Sequence, residues 1–238
     1  MAHMLEERGL PTTVLALVLP QVEKTRPPRA VATPFMLGRP VGEPGDAAFQ
    51  LRVLKRALLL LERKDGPVIL EHFPDDPPGM YDRPGWLPAV KIPEPVSPRD
   101  AAAWAAALRA EMALVQPAWD RFKARFGRTT VGLSDQPPDV WPDFAASFLD
   151  GALPSLPLHH TPAVALRFAA DDVKALYGEA AQADGGPPSP HQIDEWFWCR
   201  TVAGRFLIAL RSVALASPNA TMKVVGARFL VPRQYVPS

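Results

Sequence analysis

The chain has 238 residues, 47% of them hydrophobic, a composition typical of a folded globular protein. Its 26 basic and 25 acidic residues give a net charge of +1, so no overall field attracts nucleic acid or an anionic membrane. One cysteine excludes an internal disulfide and a cysteine-based zinc or iron–sulfur site. We therefore expect a cytoplasmic protein with no nucleic acid or membrane among its partners.

The first part of the chain, residues 5–73, predicts an α/β segment. Aliphatic residues without alternation over 12–19 are typical of a strand covered on both faces, and 29–35 predicts a weaker second strand. Asp46 is placed to cap a helix over 47–63, and a short strand over 67–73 follows. The strand–helix–strand order predicts a parallel pair of strands.

Residues 74–97 predict an extended connector, because proline is too frequent there for a regular element. The connector also carries large apolar residues, among them Trp86, Val90 and Ile92. A solvated linker would hold fewer of them, so we expect it to lie across a surface of its own domain or of a partner.

Residues 98–238 predict a mostly helical domain that ends in a strand over 224–231, which makes the fold α+β. Three helices are expected to begin with a hydroxyl at the N-cap and a proline after it, at Ser97-Pro98, Thr161-Pro162 and Ser189-Pro190. The first should kink or break at Pro117 and stop at Gly127, and the last should run from 190 to 215. Cys199 falls on the apolar stripe of that last helix and is interpreted as a buried core residue.

Three motifs stand out in the α/β segment: Gly9-Leu10-Pro11-Thr12, then Glu23-Lys24-Thr25-Arg26-Pro27-Pro28-Arg29, then Pro34-Phe35 with Gly38-Arg39-Pro40-Val41-Gly42-Glu43-Pro44-Gly45-Asp46. With the helix that opens at Ala48-Phe49-Gln50, they make residues 5–76 resemble the C-terminal segment of the selenoprotein B family of glycine, sarcosine, betaine and D-proline reductases. The resemblance implies thiol- or selenol-dependent reduction of a small amine or amino-acid-like molecule.

In that family the thiol or selenol lies upstream of the Gly-Leu-Pro-Thr stretch. Met1-Ala2-His3-Met4 looks like a cloning remnant, and we expect almost nothing upstream in this chain. The resemblance therefore implies a non-catalytic or half-site subunit of a hetero-oligomeric reductase, whose catalytic cysteine or selenocysteine belongs to a partner chain. No catalytic residue, metal site or cofactor is expected in the chain itself.

The residues with which we expect the segment to bind a ligand or partner lie in its Gly/Pro-rich loops: Arg26, Arg29, Gly38, Arg39 and Gly42. Arginine binds carboxylates with two parallel hydrogen bonds, and glycine lets backbone N–H groups approach an anion. The alternative is that these arginines are surface residues paired with Glu23, Glu43 or Asp46. The glycine spacing matches neither a dinucleotide-binding nor a phosphate-loop motif.

Two other functions stay open at this point. The chain could be a self-sufficient small-molecule enzyme or binding protein, with a site between the 36–46 loop and the helical domain. It could also be a structural partner protein.

Overall fold

The computed structural model describes residues 1–76, 82–95, 97–151, 160–185 and 188–236. The fold is α+β, with a small parallel sheet followed by helices. The chain divides into two compact units, Met1–Tyr81 and Asp82–Ser238. The predicted connector is shared between them. Its described residues form neither helix nor strand, and 77–81 and 96 lie outside the described residues.

The first unit consists of α1 (Ala2–Glu6), β1 (Val14–Ala16), α2 (Leu19–Thr25), β2 (Arg29–Ala32), α3 (Ala47–Leu59, continued by a 3-10 turn at Leu60–Glu62) and β3 (Ile69–His72). The three strands are parallel in the order β1-β2-β3, so β2 is central. The predicted parallel pairing is confirmed. Strand β1 is shorter than predicted because helix α2, with Pro20 in its first turn, begins only three residues after Ala16.

Alternate residues of β2 face different helices. Val31 packs in a cluster with residues of α3, whereas Ala30 packs with Val22 of α2. Both faces of the central strand are therefore covered, which is the usual state of a parallel sheet. Asp46 caps α3 as predicted, since its carboxylate accepts a hydrogen bond of 3.0 Å from the Phe49 N–H.

The second unit contains α4 (Ala101–Phe126), α5 (Trp141–Ser147), α6 (Pro162–Ala181), α7 (Pro190–Arg200), α8 (Val202–Ala216) and α9 (Ala220–Arg228). These helices share one hydrophobic core, with Trp141, Tyr177 and Phe206 among its fully buried side chains. Within the described ranges, no helix is long and apolar enough to cross a membrane.

The three predicted helix starts have different outcomes. Ser189 forms a complete capping box with Gln192, as predicted. Thr161 stands at the N-cap of α6, but its side chain makes no capping hydrogen bond. Ser97 is not a cap, because α4 begins at Ala101, where Asp100 accepts from the Ala103 N–H at 2.8 Å. Helix α4 continues through Pro117 and ends at Gly127, which has a left-handed φ of 64°.

The single long helix predicted over 190–215 is wrong, because the chain is extended at Thr201 between α7 and α8. The Thr201 hydroxyl caps α8 by accepting from the Gly204 N–H at 2.9 Å. A Cβ atom at Gly204 would lie 2.3 Å from the carbonyl oxygen of Phe197, so only glycine permits this close approach of the two helices.

The strand predicted over 224–231 is also wrong, because the chain forms helix α9 there. Asn219 caps that helix by accepting from the Met222 N–H at 3.0 Å. A Cβ atom at Gly226 would lie 2.9 Å from the Cβ of Ala214, so α9 packs closely on α8. Helix packing therefore overrides the strand preference of Val224 and Val225.

Buried carboxylates fasten the helical unit together. Asp172 of α6, with no exposed surface, accepts hydrogen bonds of 2.6 to 2.9 Å from three backbone N–H groups and one hydroxyl of the loop 132–134. Glu179, seven residues later in α6, accepts from the Trp119 indole at 2.7 Å and from Thr129 and Thr130. Buried carboxylates need such partners, and both groups have them without a basic side chain among these donors.

Candidate functional site

The five residues predicted to bind a ligand or partner fall into two groups at the two ends of β2. Arg26 ends α2 and Arg29 is the first residue of β2, whereas Gly38, Arg39 and Gly42 follow the strand in one loop. No hydrogen bond or ion pair joins the two groups in the part of the chain that the structure describes. They therefore form two candidate surfaces rather than one.

At the amino end of β2, Arg29 holds the N-terminal segment in place. Its Nη1 donates to Glu6 Oε1 at 2.6 Å, and the same oxygen accepts from the Thr12 N–H at 2.6 Å. The arginine and the Thr12 hydrogen bonds lower the pKa of the Glu6 carboxyl below its ordinary value. Arg29 thus links α1, the approach to β1 and the sheet.

Arg26, at the end of α2, has a left-handed conformation with φ of 44°. It lines a cavity of about 190 Å³ together with Glu23, Ala30 and Leu70. Its guanidinium is exposed at the end of α2, where a basic residue also interacts favourably with the helix dipole.

At the carboxyl end of β2, the loop is shaped by glycine and fixed by polar contacts. Gly38 and Gly42 have φ of 90° and 94°, values that residues with a Cβ rarely adopt. Arg39 forms a close ion pair with Glu43, whose carbonyl oxygen accepts from the Gln50 side chain at 2.8 Å. One alternative raised by the sequence, a pair between arginine and Glu43, is therefore present in the structure.

Thr33 is a polar residue of this edge that the sequence does not single out. It directly follows β2 and is 6% exposed, and its hydroxyl has no hydrogen-bond partner among the residues described. Buried polar groups almost always have a partner, so an unpaired hydroxyl here needs a reason. Ligands of open α/β sheets bind at the carboxyl ends of the strands, which is where Thr33 and Arg39 lie.

Acidic residues in β3 and just after it pair with arginines of α3 and of the turn that follows α3. Asp75 pairs with Arg52 at 2.7 Å, and Glu71 pairs with Arg56 at 2.6 Å and with Arg63 at 2.7 Å. Across the described residues, no group of three or more histidine, cysteine, aspartate or glutamate side chains is arranged to hold a metal ion.

The second unit carries a groove of about 510 Å³ between residues 86–95 and helix α7. Trp86, Leu87 and Ile92 line one side and Trp196 the other. The segment is anchored on the helices at both ends. The Gln192 side chain bonds both backbone groups of Arg83, and Arg205 donates to the Pro95 carbonyl at 2.6 Å. Trp86, Val90 and Ile92 of the connector therefore pack on a surface, and that surface belongs to the second unit.

Cys199 is exposed, so its interpretation as a core residue is wrong. The three residues before it, Trp196, Phe197 and Trp198, are buried, but α7 ends at Arg200 and its last turn leaves the thiol in solvent. The prediction placed Cys199 on an apolar stripe because it took the helix to continue through 201. Since the helix breaks at Thr201, that stripe does not continue past Cys199.

Comparisons of the chain with protein-family models, with curated proteins and with solved structures found no match. The resemblance of residues 5–76 to the selenoprotein B family therefore rests on the motifs themselves.

Proposed function

We propose that this chain is a subunit of a thiol-dependent reductase system similar to the selenoprotein B family, acting in the cytoplasm on a small amine or amino-acid-like substrate. In this proposal the catalytic cysteine or selenocysteine is on a partner chain. The loop of Gly38, Arg39 and Gly42 is the surface that meets the partner or the substrate carboxylate.

The observation that carries the proposal is the match between the resemblance and one structural unit. The resemblance covers residues 5–76, and the first compact unit is Met1–Tyr81. Within that unit the Gly- and Arg-containing motif occupies the loop after the central parallel strand. A motif that served only folding would be expected at core positions, whereas Gly38 is exposed and the Arg39 side chain is 37% exposed.

The number of thiols supports a partner chain. Reduction by a dithiol removes two electrons from two sulfur atoms and leaves a disulfide, or a selenenyl sulfide where selenium takes part. The sequence contains one cysteine, Cys199, and it lies in the second unit rather than in residues 5–76. In this proposal the second sulfur or a selenium atom comes from another chain.

Complex formation tests the proposal. The gene next to this one that encodes a cysteine- or selenocysteine-containing protein is co-expressed with it, and the purified pair is measured by mass photometry. We expect a stable complex of the two chains, and we expect Arg39→Lys to weaken it while the exposed Arg109→Lys does not. Detection of the two chains only at their separate masses would refute the proposal.

A further inference from the structure

Helix α3 carries a second hydrophobic face that points away from its own unit. Phe49, Val53 and Ala57 are buried against the sheet. On the opposite side of the helix, Leu51, Leu54 and Leu58 are 65%, 42% and 58% exposed. A contiguous row of exposed leucines, unlike scattered ones, marks an interaction surface.

The spacing of this leucine row is that of a helix–helix seam. Residues 47, 51, 54, 58 and 61 are apolar, so the steps along the chain alternate between four and three. Alternating steps of four and three keep one stripe facing a partner helix, and they are the pattern by which two helices pack side chains into each other's gaps. The partner that fits the row is therefore another helix.

The charges beside the leucine row point to the identity of that helix. Lys55 and Glu62 lie on one flank of the row, Lys55 towards its beginning and Glu62 towards its end. Neither forms an ion pair or hydrogen bond with any residue that the structure describes. By contrast, Arg52, Arg56 and Arg63 are all paired within the first unit.

This flank complements itself when two copies of α3 run antiparallel. A two-fold axis places the same flank of both helices side by side in opposite directions, so the Lys55 end of one meets the Glu62 end of the other. The same arrangement sets Leu51 opposite Leu61 and Leu54 opposite Leu58 of the second copy. A parallel pair would instead set this flank against the other flank of the partner helix, where positions 50 and 57 carry no opposite charge.

We propose that α3 is a homodimerisation helix, which packs antiparallel against α3 of a second copy through Leu51, Leu54 and Leu58. The contact is isologous, so it closes at two chains. It does not use the Gly38–Gly42 loop and does not depend on the proposed reductase function.

The test uses the purified full-length chain alone, measured by sedimentation velocity over a concentration series. We expect the wild type to sediment at twice the 26.0 kDa chain mass and the double variant Leu51→Glu/Leu58→Glu to sediment as a monomer with unchanged circular dichroism. Leu114→Glu, at a 49% exposed leucine of α4, is the matched control and should remain a dimer.

Charge reversal keeps the test informative even if the double leucine variant fails to fold. Lys55→Glu and Glu62→Lys should each raise the dimer dissociation constant by about tenfold or more, because each sets like charges together. Combining the two should restore it to near the wild-type value. The proposal would be overturned by a monomeric wild type or by a Leu51→Glu/Leu58→Glu variant that remains a dimer. It would also be overturned if the combined Lys55→Glu/Glu62→Lys variant failed to restore the dimer.

Discussion

The hydroxyl of Tyr177 donates a hydrogen bond of 2.8 Å to the buried carboxylate of Glu111. The same carboxylate accepts from the N–H groups of Val202 and Ala203, at 2.7 and 3.0 Å, in the first turn of α8. A side chain of α4 thus joins α6 to the start of α8. The anion also lies at the positive end of the α8 dipole, where negative charge is favoured.

Replacing Glu111 with glutamine should destabilise the second unit, even though it removes a buried charge. All three neighbours are donors, so the new amide NH₂ must face one of them and leave it unsatisfied. We expect the free energy of unfolding to fall by about 1–3 kcal/mol. Urea unfolding followed by tryptophan fluorescence measures this, because all six tryptophans belong to the second unit. An unchanged midpoint would show that the three contacts contribute little.

The stability of the second unit should also depend on pH through Glu111. Burial raises the pKa of this carboxyl above its ordinary value, although its hydrogen bonds oppose the shift. The folded state then binds the proton more tightly than the unfolded state. The contribution of Glu111 to stability is therefore greatest below the ordinary pKa and decreases as pH rises through the raised one.

The measurement is the difference in unfolding free energy between the wild type and Glu111→Gln across a pH series, and it should shrink as pH rises. Glu6 provides the opposite case, since the Arg29 contact lowers its pKa. The difference between the wild type and Glu6→Gln should grow as pH rises towards the ordinary value and stay constant above it. If both differences in unfolding free energy changed in the same direction with pH, the opposite pKa shifts assigned to Glu111 and Glu6 would be contradicted.

Asp172→Asn should be among the more damaging single substitutions in the helical unit. The carboxylate accepts four hydrogen bonds from the loop 132–134, and an asparagine NH₂ would oppose at least one of those donors. We expect a loss of about 2 kcal/mol or more. The matched control is Asp184→Asn, which removes an exposed pair with Arg121 and should cost less than about 1 kcal/mol.

Arg39→Lys should affect binding more than folding. The two residues of the Arg39–Glu43 pair are half-buried and four positions apart along the chain, so loss of the pair should change stability by about 1 kcal/mol or less. Lysine cannot reproduce the planar guanidinium, so binding of a carboxylate or an acidic partner surface should weaken by about 2–5 kcal/mol if the pair is buried in the complex.

Arg29→Lys should behave differently, because Arg29 is largely buried and holds Glu6 against Thr12. Its main effect should be on the thermal melting of the first unit, which is measured by circular dichroism, and its effect on binding should be secondary. For Arg39→Lys, by contrast, binding at the wild-type level would mean that the loop of Gly38, Arg39 and Gly42 has only a folding role.

Local signals in the sequence predict much of this fold. The Ser189 capping box, the Asp46 cap and the stop at Gly127 are all set by residues within a few positions of the helix end, so they can be recognised without a structure. The parallel order of strands follows in the same way from their short apolar runs and the helix between them.

The wrong predictions depend on contacts between residues far apart in the chain. The break at Thr201 is stabilised by Glu111, some ninety positions earlier. Helix α9 replaces a strand because Gly226 fits against Ala214 of the preceding helix. The sequence of α3 has apolar residues on two faces of the helix, so it does not reveal which face meets the sheet.

The proposed catalysis by a partner chain is tested by a reduction assay of the co-expressed complex that carries Cys199→Ser. Because Cys199 is exposed, its replacement should change stability by less than about 0.5 kcal/mol. We predict that this complex reduces at least one of glycine, sarcosine, betaine and D-proline with dithiothreitol as electron donor, and that iodoacetamide abolishes the activity by alkylating the partner's thiol or selenol. Activity of this chain alone that disappears with Cys199→Ser, or a stable complex that reduces none of the four, would contradict the account.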